Sequence, residues 1–356
     1  MSLLFTPLTI RGVEFPNRAW LSPMCQYSAV DGIVGDWHLV TLGAYATGRA
    51  GLVMAEATGV LPEARISPDC PGIWNDEQVA VWTRIVDFIH TQDVKAGIQL
   101  AHAGRKASMA ASWNGGKHVP IDEGGWIAVA PSAVAFDGYE VPHELTLDEI
   151  HATTQAFADA AVRADAAGFD VVEIHAAHGY LLHQFLSPLS NFRTDEYGGS
   201  LENRMRFPLA VATAVRGAFP QDKPVFVRIS ATDWVDGAWD IDQSLQFVKE
   251  LDQLGIDFID TSSGGSAANA DIPDEVNYQI DLAEQVRKHT GILTGAVGRI
   301  TGAEQAELIL ESGKADAVFL ARQMLRDPHW PLRAAHELGV RVQWARQMGR
   351  GASWVS

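Results

Sequence analysis

The chain has 356 residues, of which 47% are hydrophobic and 20% charged, a composition that predicts a globular protein and argues against disorder. Its formal net charge of −17 and the absence of an apolar run of ~18 residues argue against nucleic-acid and membrane partners. The only two cysteines, Cys25 and Cys70, exclude a disulfide framework and favour a reducing, cytoplasmic location.

Eight short apolar runs, rich in β-branched residues, predict strands. They lie at residues 19–24, 52–58, 96–102, 171–177, 224–230, 258–263, 292–298 and 317–321. Helices are predicted between most of them: residues 76 to about 91, 146–167 and 201 to about 219, with later helices starting near Asp242, Pro273, Thr301 and Pro328. Such alternation indicates a parallel sheet.

Eight strand–helix units are the number that closes a (β/α)8 TIM barrel. The alternative is an open doubly wound sheet, but no G-x-G-x-x-G motif follows an early strand. We expect one domain over residues 1–356. A Gly-, Trp- and Pro-rich span at about 106–143 predicts an excursion inserted after strand 3, in the form of a hairpin lid. Residues 10–13 predict a small hairpin that closes the barrel bottom.

Barrel active sites lie at the carboxyl ends of the strands, so the residues that end each strand are site candidates. The fourth strand ends with His175, His178 and Tyr180. Two neutral imidazoles could hold a developing oxyanion, with the phenol as a proton source. They could instead bind a metal ion, with Glu173 or His102 as the third ligand, as in a metal-dependent barrel hydrolase.

Arginines mark three other strands. Arg228 lies within an apolar strand, where it could pair with a carboxylate such as Glu173 or face an electron-rich cofactor edge. Arg299 and Arg322 end the last two strands, where barrels commonly bind phosphate, although both could simply be paired at the surface.

Together, several strings resemble the old yellow enzyme family, and most closely its bacterial subclass with cysteine in the first-strand motif. The strings are SPMCQY at 22–27, QLAHAGRKAS at 99–108, HAAHGY at 175–180, HQFLSP at 183–188 and NFRTDEYGGSLENR at 191–204. They follow the family order over almost the whole chain. The resemblance weakens the metal interpretation, because the same two histidines are the family's oxyanion donors.

The resemblance implies an FMN-dependent ene-reductase that uses NADPH or NADH as hydride donor and reduces activated C=C bonds by ping-pong kinetics. The cofactor-binding residues would be Ser22, Pro23, Met24, Cys25, Ala57, Gln99, Arg228, Gly298, Arg299, Ala321 and Arg322. Arg228 would favour the anionic reduced flavin. His175 and His178 would bind the substrate oxygen, Tyr180 would protonate Cα, and Tyr27 and Ile66 would shape the substrate pocket.

The tail, about residues 340–356, contains QWAR at 343–346, which resembles a family element that reaches a neighbouring subunit's active site. This implies a homodimer or a dimer-based tetramer, in which Arg346, or alternatively Trp354, is shared. A disordered tail is the other interpretation. Trp344 stands where the family more usually has tyrosine.

Overall fold

The computed structural model describes residues 2–353, and within them it contains twelve strands and ten α-helices. The strands are β1 Leu8–Ile10, β2 Val13–Phe15, β3 Ala19–Leu21, β4 Leu52–Gly59, β5 Lys95–Ala101, β6 Val129–Ala130, β7 His143–Glu144, β8 Val171–Ala176, β9 Val225–Ser230, β10 Phe258–Ser262, β11 Leu293–Val297 and β12 Ala317–Leu320. The helices are α1 Asp36–Thr47, α2 Asp76–His90, α3 Leu147–Ala166, α4 Leu181–Leu186, α5 Leu201–Ala218, α6 Ile241–Gln253, α7 Ile280–Thr290, α8 Ala303–Glu311, α9 Arg322–Arg326 and α10 Trp330–Glu337.

Eight of the strands form a closed parallel barrel in the order β3-β4-β5-β8-β9-β10-β11-β12, with β12 pairing β3. The predicted TIM barrel is therefore confirmed, and the open doubly wound sheet is wrong. All eight predicted strands are present, although the first is shorter than expected and ends at Leu21. Within residues 2–353, every helix is too short or too polar to span a bilayer.

Four of the ten helices, α2, α3, α5 and α6, begin at a residue whose side chain accepts a hydrogen bond from the first turn. The Asn75 side chain accepts a hydrogen bond from the Gln78 amide at 3.0 Å, and Thr146 opens α3 in a capping box with Glu149. The helix start predicted near Pro273 is wrong, because α7 begins at Ile280. Asn277 has a φ of +68°, a left-handed conformation that ends any helix containing it.

An aromatic cluster fills the amino-terminal end of the barrel. Trp20 packs at 4.7 Å from Phe15, which comes from the predicted hairpin formed by β1 and β2. Trp20 also stacks on Phe226 at 5.7 Å between ring centroids, and Phe258 lies 4.6 Å from Phe226. All four side chains are fully buried, so this end of the barrel is a closed apolar plug.

The excursion after β5 is present, and Met109 and His118 form a short antiparallel bridge within it, whereas β6 and β7 pair in parallel. Most of the span is irregular and held by side-chain bonds. The Ser108 hydroxyl accepts from the Trp126 amide at 3.0 Å, and the Trp126 indole donates to the Glu63 carbonyl at 2.8 Å. These bonds fix the excursion over the loop after β4, at the carboxyl ends of the strands.

Candidate active site

A polar layer lies directly above the aromatic plug on the same strands. Side chains two residues apart on a strand point to the same face, so Arg228 follows Phe226 into the barrel and Asp260 follows Phe258. In the strand register, Arg228 pairs with Asp260 on one side and with His175 on the other. The alternation of side chains along each strand therefore places these charged groups in one layer, toward the carboxyl ends of the strands.

Arg228 has a carboxylate partner, but not the one that the sequence suggested. Its Nε lies 3.1 Å from the Asp260 Oδ2, and its terminal nitrogen donates to the Ser22 hydroxyl at 3.1 Å. Asp260 is fully buried, and the Nε contact is a close ion pair without hydrogen-bond alignment. Sequence reasoning missed Asp260, although an aspartate inside the apolar β10 repeats the pattern that identified Arg228.

Glu173 instead accepts a hydrogen bond from the Gln99 amide nitrogen at 2.7 Å. Burial and the nearby Asp260 charge raise the pKa of Glu173 to about 8, while Arg228 and Gln99 oppose the rise. Burial also raises the pKa of Asp260, which Arg228 opposes. The Glu173 side chain is therefore mostly protonated at neutral pH, and its bond fixes one N–H of the Gln99 amide.

The structure brings His175, His178 and Tyr180 together. The two imidazole rings lie 5.2 Å apart and nearly perpendicular, and Tyr180 lies 4.9 Å from His175 between ring centroids. Burial, with a contribution from Arg228, holds the pKa of both histidines well below the usual value, so both are neutral. Burial raises the pKa of Tyr180 well above its usual value, so the phenol keeps its proton.

The ends of β9 and β10 and a neighbouring loop hold His178 in a left-handed conformation, with a φ of +59°. Its backbone amide donates to Ser230, its Nε2 lies 2.8 Å from the Ser262 hydroxyl, and Lys106 donates to its carbonyl at 2.9 Å. A Cβ at Gly265 would lie 2.4 Å from the His178 backbone, so only glycine fits there. Sequence reasoning missed Ser262 and Lys106 as supports of the histidine.

A second wall of the site is apolar. Ala57 and Ile66 are buried in a cluster against which Cys25, Tyr27 and Tyr180 pack. The excursion adds two aromatic side chains that sequence reasoning missed: Trp126 joins this cluster, and Trp113 contacts Tyr27 edge-on at 5.6 Å. The predicted pocket residues Tyr27 and Ile66 are therefore adjacent to the histidine–tyrosine group.

The ends of β11 and β12 line a cavity of about 420 Å³. Gly298, Arg299, Ala321 and Arg322 all contribute to its wall, as does Ser262, which links it to His178. Arg322 is exposed, and no carboxylate within residues 2–353 lies at salt-bridge distance from it. Arg299, by contrast, forms an ion pair with Asp274, so a ligand there would compete with that carboxylate.

Arg346 does not reach this site. It is exposed, and it lines a surface cleft with Arg49 and residues 91–93, which follow the C-terminus of α2. Helix C-termini in a parallel barrel lie at the amino ends of the strands, on the face opposite the site. Trp354, the alternative shared residue, lies outside the described residues.

The metal-ligand interpretation of Glu173, His175 and His178 is not favoured. Among residues 2–353, the only group of three potential ligands close enough for one ion is Cys25, Glu56 and Cys70. The Glu173 carboxyl group is bound to Gln99 and lies in the field of Arg228, and no third ligand accompanies the two imidazoles. The pair is better suited to donating hydrogen bonds than to holding a metal.

Comparisons with known proteins agree with this geometry. A family model described as "NADH:flavin oxidoreductase / NADH oxidase family" matches residues 3–340. NADPH dehydrogenases of Geobacillus thermodenitrificans and Bacillus subtilis are 46% and 44% identical to the chain, and each alignment covers 98% of both chains.

Solved structures give the same assignment. Morphinone reductase superposes with a TM-score of 0.79 at 31% identity, covering 96% of this chain and 91% of its own. An old yellow enzyme homologue of Zymomonas mobilis has a TM-score of 0.78 at 28% identity and is covered over 99% of both chains. The chain is therefore an oxidoreductase of the NADH:flavin oxidoreductase / NADH oxidase family, an old yellow enzyme with FMN as cofactor and NAD(P)H as hydride donor.

Proposed function

We propose that this protein is an FMN-dependent ene-reductase, which reduces the activated C=C bond of α,β-unsaturated carbonyl compounds, and of some nitroalkenes, with hydride from NAD(P)H. The observation that carries the proposal is the pair of neutral imidazoles beside a protonated phenol at the barrel mouth. Such donors stabilise a substrate oxygen as it gains negative charge, and the phenol supplies the proton that completes the reduction.

The residues at the barrel mouth fit FMN. Arg228, Ser22 and Gln99 form a buried polar group for the pyrimidine edge of the ring, and Pro23, Met24, Cys25 and Ala57 supply the flanking wall. The exposed Arg322 and the open cavity at Gly298 and Ala321 suit a phosphate. When bound, FMN supplies a site that accepts hydride from one substrate and returns it to another.

His175 and His178 then bind the carbonyl oxygen of the alkene. Because both rings are neutral, each donates one N–H, and the Nε2 contact with Ser262 fixes the orientation of the His178 ring. Tyr180 lies next to His175 and donates its proton to Cα. Tyr27 and Ile66 bound the pocket that selects the substrate.

Both substrates use the same pocket in turn, so the proposal includes ping-pong kinetics. We also propose a cytoplasmic location, supported by two free cysteines. For the assembly, we propose a homodimer or a dimer-based tetramer. The exposed Arg346 lies far from the active site of its own chain, so it is available to the active site of a partner subunit.

An anaerobic titration tests the proposed activity. The purified protein should show flavin absorbance, lose it on addition of NADPH, and regain it when cyclohexenone is added. If the flavin absorbance recovers with oxygen but not with cyclohexenone, the protein is a flavin-dependent dehydrogenase, and the proposed ene-reductase activity is rejected. A colourless preparation that contains zinc would reject the flavin site itself.

A further inference from the structure

We propose that Cys25 and Cys70 form a redox pair, which peroxide oxidises to an intramolecular disulfide at the edge of the candidate active site. The proposal does not depend on the substrate that the enzyme reduces, although Cys25 is also one of the residues proposed to flank the flavin. Intracellular disulfides are usually transient, and redox sensing is one of their main uses.

The fold brings two distant segments together at this point. The Ala29 amide donates to the Asp69 carbonyl at 2.9 Å, which joins the loop after β3 to the loop that contains Cys70. The two Sγ atoms lie within 4.8 Å of each other. A disulfide needs about 2.05 Å, so the sulfurs must approach by less than about 3 Å. Residues 22–29 have no regular secondary structure, so side-chain rotation and a small loop shift can close this gap.

The two thiols differ in their access to solvent. Cys25 is half-buried at the pocket wall, whereas Cys70 is fully buried. The Cys70 thiol interacts with Cys25, and this contact together with burial raises the pKa of Cys70 well above its usual value. Cys70 therefore keeps its proton, and the Cys25 sulfur is the one that an oxidant reaches first.

The chemistry is balanced with hydrogen peroxide as the oxidant. The Cys25 sulfur attacks a peroxide oxygen, the O–O bond breaks, and Cys25 becomes a sulfenic acid with release of one water. The Cys70 sulfur then loses its proton and attacks the Cys25 sulfur, the S–O bond breaks, and a second water leaves. Two thiols and one peroxide give one disulfide and two waters, and a dithiol reductant reverses the change.

A metal site built from the same group is less consistent with its contacts. Glu56 already accepts a hydrogen bond from the Gln26 amide at 2.8 Å and lies 3.1 Å from the His38 Nε2. Both carboxylate oxygens are therefore in use, and His38 is buried beside them. The Cys25 and Cys70 thiols, by contrast, interact with each other, which favours a bond between them.

The holoenzyme treated with graded hydrogen peroxide, then denatured and alkylated, tests the pair by intact mass and non-reducing peptide mapping. We expect both thiols to be lost together. The oxidised chain should take up no alkyl group and be two hydrogens lighter than the unalkylated reduced chain, and one cross-linked peptide should join Cys25 to Cys70. Dithiothreitol should restore both thiols. Raising the pH should speed closure, because Cys70 loses its proton more readily.

Cys70→Ala is the matched control, with Cys70→Val as a second variant should the alanine form fold poorly. In either variant, Cys25 should proceed to sulfinic acid, which dithiothreitol does not reverse. Sulfinic acid at Cys25 of the unaltered enzyme, with Cys70 still fully alkylated, would overturn the proposal. A disulfide between two chains through Cys25 would overturn it as well. Flavin absorbance, recorded on the same samples, reports the cofactor separately.

Discussion

The barrel changes character within two residues along the same strands. On β9, Phe226 lies in the aromatic plug, and Arg228 lies one layer above it; on β10, Phe258 and Asp260 do the same. The lower layer is apolar, and its burial stabilises the fold. The upper layer contains charged groups whose burial costs desolvation energy, and burial together with the Asp260 charge raises the pKa of Glu173. The residues that stabilise the fold and the residues of the candidate active site therefore occupy different layers along the strand axis.

The largest expected effect is in the upper layer. Replacing both His175 and His178 with alanine should slow flavin reoxidation by cyclohexenone by about 10³-fold or more, because two donors to the substrate oxygen are lost. Stopped-flow absorbance measures the rate, and His289→Ala, at an exposed histidine of α7, is the control. If FMN is lost instead, the histidines bind the cofactor and not the substrate.

The complementary change is in the lower layer. Phe226→Ala should lower the free energy of unfolding by about 3–5 kcal/mol, since it opens a cavity among stacked rings. Phe192→Ala, which is 59% exposed, should lower it far less. Urea unfolding gives both values. Below the unfolding transition, Phe226→Ala should still bind FMN, and weakened binding would mean that the two layers are coupled.

A smaller effect is expected for the proton donor. Tyr180→Phe should slow reoxidation by an enone about 10–100-fold, because solvent can also deliver the proton. The reduction of the flavin by NADPH, measured in the same instrument, should change little. Equal slowing of both half-reactions would point to altered packing around His175 and not to proton transfer.

The smallest effect concerns the pH dependence of stability. The pKa of Glu173 is raised to about 8, so the folded state binds a proton that the unfolded state releases above about pH 4.5. Stability should therefore fall as the pH rises through this window and level off above about pH 8. Glu173→Gln should therefore gain stability progressively over the unaltered protein between about pH 5 and about pH 8.

Urea unfolding across this pH range measures the gain. Glu123→Gln, at an exposed glutamate of the excursion, should show the same pH dependence of the free energy of unfolding as the unaltered protein. If the free energy of unfolding of Glu173→Gln also follows that of the unaltered protein at every pH, the Glu173 carboxyl group lies in a more polar environment than the contacts with Gln99 and Arg228 indicate.

The sequence by itself determined the barrel, because local periodicity and capping residues predict its eight strand–helix repeats. It also located His175, His178 and Tyr180, since residues at the carboxyl end of a strand lie at a known face of the barrel, and it located Arg228 as a charge within an apolar strand.

Only the tertiary structure decided which of these groups meet. The partner of Arg228 is Asp260 and not Glu173, because the register between β9 and β10 sets that pair. The start of α7, the parallel pairing of β6 with β7, and the approach of Cys25 to Cys70 depend on contacts between segments without periodic patterns. Local sequence does not encode such contacts, since they form only after the barrel has closed.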